Sequence, residues 1–189
     1  EGRIITVEGG DTIADGIAVK RIGDLTFKLM EELVDDIVLV SDQDIVNAIL
    51  IIAESSKVIA EGAGAASVAA LISGRIKVGG NVVAVVSGGN IDMNMFAKVI
   101  YKGLVQNGRL IMFKGLIPDR PGTLSRVTGI LGSLGLNIVD IRHDRFNPVV
   151  KPSQTEVEII VELPPEEDAL NKALKALKDN GFSFEVTAP

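Results

Sequence analysis

The chain has 189 residues, is 47% hydrophobic and carries a formal charge of −6, so it can bury one sizeable core or two smaller ones. With no basic tract to neutralise phosphates, nucleic acid is excluded as the main partner, and so is an acidic membrane surface. The absence of cysteine removes disulfides, thiolate catalysis and cysteine metal sites, and one histidine is too little for a zinc centre, so no metal is expected.

Taken in chain order, Glu1-Gly2-Arg3 is neither a basic signal-peptide start nor an initiator methionine, and no run of about 18 apolar residues follows. A soluble, cytoplasmic fragment is the expectation. Strands are predicted at Ile4 to Val7, Ile37 to Val40 and Val82 to Val86, with helices between them, the alternation of an α/β layer with an open parallel sheet. The loop Asp11-Thr12-Ile13-Ala14-Asp15-Gly16 follows the first strand and is either part of a site at the sheet edge or a solvated turn. Asp42 to Ser56 is the clearest helix: Ile45, Ala48, Ile49 and Ile52 form a stripe, and Ser41 stands as N-cap with Asp44 three residues on. A second, alanine-rich helix from Gly64 to Ser73 stops at Gly74.

Glu61-Gly62-Ala63-Gly64 has two glycines spaced as in a dinucleotide fingerprint, but the third glycine and the later acidic residue are missing, so that reading fails. These glycines instead let a helix start pack closely beside a ligand, with Glu61 aimed into the same crevice or simply favoured by the helix dipole. The run Val82-Val83-Ala84-Val85-Val86 reads as a strand buried on both faces. Ser87-Gly88-Gly89-Asn90 then sits at its carboxyl end, where open α/β sheets bind ligands, and Ser87 is the polar group presented. Alternatively Asn90 caps a helix from Ile91 to about Gln106.

A turn at Asn107-Gly108 is the predicted domain boundary, giving domains 1–108 and 109–189. Beyond it come strand Leu110 to Leu116, helix Gly122 to Leu134, strands Asn137 to Arg145 and Thr155 to Leu163, helix Glu166 to Asp179 and strand Phe182 to Val186. That is the ferredoxin-like βαββαβ order. Thr155, Val157, Ile159, Val161 and Leu163 alternate with Glu156, Glu158 and Glu162, so this strand has one wet face. In Pro118-Asp119-Arg120-Pro121-Gly122-Thr123-Leu124, Pro121 suits a first helical turn and the amides of Gly122, Thr123 and Leu124 point outward to receive a carboxylate or water. Asn137 could hold the ammonium group of an amino acid through its carbonyl oxygen. His143 is assigned no chemistry.

The series Asp11 to Gly16, Leu33-Val34-Asp35-Asp36-Ile37, Glu61-Gly62-Ala63-Gly64-Ala65-Ala66 and Ser87-Gly88-Gly89-Asn90 closely resembles the carboxyl-terminal half of the threonine dehydratases. These are pyridoxal-phosphate enzymes of the tryptophan-synthase β-subunit fold. Residues 109–189, with Asp119 to Leu124 and Gly135-Leu136-Asn137-Ile138, resemble an ACT domain, a small module that binds amino acids. The resemblance implies a partial open parallel-sheet enzyme domain followed by a ferredoxin-like regulatory domain. It further implies pyridoxal phosphate as cofactor, with Ser87 bonded to the pyridine nitrogen and Gly88, Gly89 and Asn90 beside the ring. Asp15 and Gly16 would border the pocket and Glu61 would face the ring's neighbourhood. Threonine would yield 2-oxobutanoate and ammonia, and Asp119, Gly122, Thr123, Leu124, Asn137 and Ile138 would hold a branched-chain effector at a subunit interface. The family's Schiff-base lysine motif and glycine-rich phosphate cradle are not in this sequence; Lys20, Lys28, Lys57 and Lys98 stand in no such context. Hence no catalytic residue is assigned, the chain is expected to be inactive alone, and self-association as a homo-oligomer is expected. A non-catalytic amino-acid sensor and a serine dehydratase are the alternatives.

Overall fold

In the computed structural model, which describes residues 2–166 and 168–189, the first part of the chain is organised by helices. A short 3-10 turn at Asp15–Ile17 and the exposed helix α1 (Asp24–Leu33) precede α2 (Asp42–Ser56), α3 (Gly62–Ile72) and α4 (Met93–Gln106). Ser41 begins α2 as expected: its hydroxyl accepts the Asp44 amide, and the Asp44 carboxylate accepts the Ser41 amide at 2.9 Å, a reciprocal capping box. The apolar stripe of α2 packs on α3, where small residues allow close approach: Ile45, Ala48, Ile49 and Ile52 bury with Ala60, Ala65, Ala69 and Val99. Gly103 of α4 presses on Leu50, where a methyl group would stand 3.1 Å from the leucine side chain.

None of the three predicted strands of this part is paired in a ladder among the described residues. A strand is completed by a neighbour, and a run such as Val82 to Val86 carries the side chains of a strand without supplying that neighbour. Burial on both faces is corrected too: Val83 is 88% exposed and Val85 66%. One tie holds the segment to α3, the Ser67 hydroxyl donating to the Val85 carbonyl at 2.7 Å. The helix expected from Ile91 starts at Met93, and Asp92, rather than Asn90, caps it by accepting the amides of Asn94 and Met95 at 2.9 and 3.1 Å.

Contacts divide the chain into two units, Glu1–Gly103 and Leu104–Pro189. In the second, β1 (Leu110–Pro118), α5 (Thr123–Ser133), β2 (Asn137–Asp144), β3 (Gln154–Glu162), α6 (Ala169–Asp179) and β4 (Phe184–Thr187) form an antiparallel sheet of order β2-β3-β1-β4. The helix expected at 166–179 begins at Ala169, and position 167 lies outside the described residues. The alternation in β3 does what its pattern requires: Thr155, Val157, Ile159 and Val161 are buried, with α5 and α6 covering them through Val127, Leu131, Ala173 and Leu177. Phe113 at the centre meets Phe184 edge-on at 6.2 Å. On the other face Lys114 of β1 pairs with Glu158 and Glu156 of β3 at 2.7 and 3.3 Å, which raises the lysine pKa and lowers that of Glu158. No helix among the described residues is long and apolar enough to cross a membrane.

Candidate functional site

In the first unit, three chain-distant segments meet around the start of α3. Glu61 is the residue before the helix; its amide donates to the Gly88 carbonyl at 3.1 Å, and its carboxylate accepts the Asn90 amide at 3.0 Å. The turn after Val86 is therefore strapped to Glu61 at two points. Glycine is what makes this possible. A Cβ on Gly88 would overlap the Glu61 carboxylate, one on Gly64 would overlap the Gly88 backbone, and one on Gly62 would overlap the Ile13 carbonyl. Close packing of the α3 start, inferred from its two glycines, is thus present with backbone on both sides.

The loop on the other side is tethered from α2. Thr12 donates its hydroxyl to Asp42 at 2.6 Å and accepts the Ala14 amide at 3.1 Å, while Ile13 donates its amide to the second Asp42 oxygen at 3.3 Å. A cavity of 210 Å³ opens among these segments, lined by Thr12, Asp15, Glu61, Gly62, Asn90 and Asp92 together with apolar side chains. Of the sequence candidates, Asp15, Glu61 and Asn90 share that cavity. Gly16 lies next to it, where a methyl group would stand 3.2 Å from Ala63, and Ser87 is exposed at the head of the strapped turn, its hydroxyl unpartnered among the described residues. Gly88 and Gly89 have packing partners of their own, the Glu61 side chain and the Ile59 carbonyl.

The second unit places its candidates around the β1–α5 turn. Gly122 takes the left-handed conformation, φ 86°, and α5 starts after it, so Pro121 precedes the helix instead of occupying its first turn. One of the three amides expected to be free is used, because Thr123 donates to the Arg120 carbonyl at 3.2 Å. Asp119 is held twice: its amide donates to the Ser153 carbonyl at 3.0 Å, and its carboxylate receives Arg145 at 2.8 and 3.0 Å, which raises the arginine pKa. Asn137 is exposed and donates weakly to Glu162 at 3.4 Å, its carbonyl oxygen having no partner among the described residues, whereas Ile138 turns inward onto the core. Sequence reasoning missed Asp42, Asp92 and Arg145. Asp92 carried a usable signal, an aspartate two and three residues before the amides it caps.

Residues 1–88 match the family described as pyridoxal-phosphate dependent enzyme, and residues 116–182 match the ACT domain. The chain thus carries two matched regions in succession, one similar to that enzyme family and one similar to an ACT domain. It is 45% identical to an L-threonine ammonia-lyase of Thermotoga maritima over 85% of its own length and 40% of the relative's. It is 40% identical to an L-threonine ammonia-lyase of Geobacter sulfurreducens over 98% of its length and 46% of the relative's. It is 33% identical to a biosynthetic L-threonine dehydratase of Halalkalibacterium halodurans over 97% of its length and 44% of the relative's. The chain thus spans less than half the length of these relatives. Glu61 and Ser87 lie in the first matched region, and the turn at Asp119 to Leu124 lies in the second.

Proposed function

We propose that this chain forms one wall of the cofactor pocket, and the amino-acid-sensing domain, of a pyridoxal-phosphate-dependent threonine dehydratase, which converts threonine to 2-oxobutanoate and ammonia. The observation that carries the reading is the turn 87–90 strapped to Glu61, with the Ser87 hydroxyl left without a partner among the described residues. These residues suit the cofactor. Ser87 offers a neutral hydroxyl, Gly88 and Gly89 let the turn lie close against Glu61 and the Ile59 carbonyl, and Asp15, Gly16, Glu61 and Asn90 border the space alongside. Pyridoxal phosphate, when bound, supplies an electron sink for the carbanion left when the α-proton departs.

In this reading the Ser87 hydroxyl would hydrogen-bond the pyridine nitrogen and, being neutral, would not hold a proton there as a carboxylate would. Glu61 keeps Gly88 to Asn90 flush against α3, so the hydroxyl is presented in one direction. In the second unit, the amides of Gly122 and Leu124 would receive the carboxylate of a branched-chain amino acid, isoleucine or valine, with the carbonyl oxygen of Asn137 facing its ammonium group. Asp119, Thr123 and Ile138 would shape that turn without all touching the ligand. A cytoplasmic location, an isoleucine-forming pathway and a homo-oligomeric state accompany this reading.

The test is to express the chain with a polypeptide carrying the family's lysine motif. Threonine-dependent ammonia release, together with visible absorbance of bound cofactor that Ser87→Ala shifts, is the expected result. Absorbance and turnover indifferent to Ser87→Ala would remove Ser87 from the pocket. The 189-residue chain alone is expected to release no 2-oxobutanoate from threonine.

A further inference from the structure

We propose that Asp42 is a positioning residue for the cofactor pocket: it holds the Thr12–Ala14 loop, which supports the start of α3 and, through Glu61, the turn that presents Ser87. This rests on the reading of the pocket given above. At the first position of α2, the Asp42 carboxylate accepts two donors from the loop, the Thr12 hydroxyl and the Ile13 amide. Thr12 in turn accepts the Ala14 amide, so three consecutive residues are fixed from one carboxylate. The Ile13 carbonyl occupies the place a Gly62 side chain would need, leaving no slack between loop and helix. Next to Gly62 stands Glu61, with its two bonds to Gly88 and Asn90. Thr12, Ile13, Glu61, Gly62 and Asn90 also line one cavity, so a shift of the loop changes its wall directly.

Asp42 also sits where any acidic residue favours a helix start. The two roles separate by mutation of the partner. Thr12→Val removes the hydroxyl and keeps the charge at the helix start, Thr12→Ser restores the hydroxyl, and Asp42→Asn keeps the shape while removing the charge that strengthens both acceptances.

Amide hydrogen exchange on the 189-residue chain reads the effect without cofactor or turnover. Exchange at Ala14 and Asn90 is expected to rise about tenfold in Asp42→Asn and Thr12→Val, as for loss of one hydrogen bond to a charged acceptor, while Thr12→Ser stays at the wild-type rate and Ile49 in the middle of α2 is unchanged. In the cofactor-loaded enzyme containing this chain, the same two variants are expected to shift the cofactor's emission and lower kcat more than they raise KM. If Asp42→Asn alone has an effect and Thr12→Val none, Asp42 acts only at its helix and the proposal fails. It also fails if exchange rises at Ala14 and not at Asn90. A wild-type enzyme that binds no pyridoxal phosphate, with the exchange coupling intact, would instead refute the pocket and spare the linkage.

Discussion

Two glycines on either side of the same contact respond differently to an added methyl group. At Gly64 the obstruction is the peptide backbone of Gly88, which cannot rotate away. Gly64→Ala gains roughly 1 kcal/mol of helix propensity but incurs about 1–3 kcal/mol of overpacking, so it is expected to lower the urea midpoint of the first unit. At Gly88 the obstruction is the far end of the Glu61 side chain, which can swing aside. Gly88→Ala is therefore expected to cost about 1.5–3 kcal/mol, the value of the surrendered Asn90 hydrogen bond to the charged Glu61, while abolishing protection of the Asn90 amide. Asp44 gives a pH-dependent counterpart. The Ser41 amide and hydroxyl, then Arg75, hold its carboxyl below the ordinary aspartate range. A group depressed in this way contributes stability that is complete above its unfolded pKa and is lost as pH falls through the lowered folded value. Helical circular dichroism should accordingly fade in acid at a lower pH than an ordinary aspartate titrates, and Asp44→Asn should erase that acid-dependent step. An identical acid profile in the variant would show that Asp44 is not its source.

At the scale of elements, the sheet core of the second unit rests on a few large side chains. Phe113 of β1 is fully buried in the core shared by the sheet and the helices, and Phe113→Ala is expected to destabilise that unit by about 3–5 kcal/mol. A separate unfolding transition, read by chemical denaturation with a probe in residues 104–189, checks it; a loss below 1 kcal/mol would mean that the site collapses around the gap. Elements of this kind were legible because their causes are local. Ser41 and Asp44 are three residues apart, and the alternation in β3 lies within nine consecutive residues. Val82 to Val86 shows the converse: its composition is that of a strand, but pairing belongs to two segments at once and cannot be read from one. The site divides along the same line. Glu61, Asp15 and Asn90 were legible as polar groups bordering glycine-rich turns, whereas Asp42 reaches Thr12 across 30 residues and Arg145 reaches Asp119 across 26, distances at which charge complementarity has no sequence signature.

For the molecule as a whole, the first unit leaves large apolar side chains in solvent, Leu39 at 80% and Leu25 at 71% among them. Sedimentation of the 189-residue chain is expected to show concentration-dependent association, and Leu39→Lys with Leu25→Lys should suppress it; a monomer at every concentration would contradict this. Calorimetry of the same chain with isoleucine, valine, threonine and serine tests the second unit, and no heat or competition for any of them would exclude it as an amino-acid receptor. The Arg145–Asp119 pair adds a condition to that measurement. Its arginine is 57% exposed and its aspartate 21%, so dissolved ions reach the pair, and at physiological ionic strength attraction between exposed charges decays over about 8 Å. Potassium chloride should therefore loosen the fastening of the Asp119 turn without displacing the core beneath it. Isoleucine affinity should weaken as salt is raised, and Arg145→Gln should flatten that dependence, making the turn responsive to the electrolyte as well as to the amino acid it receives.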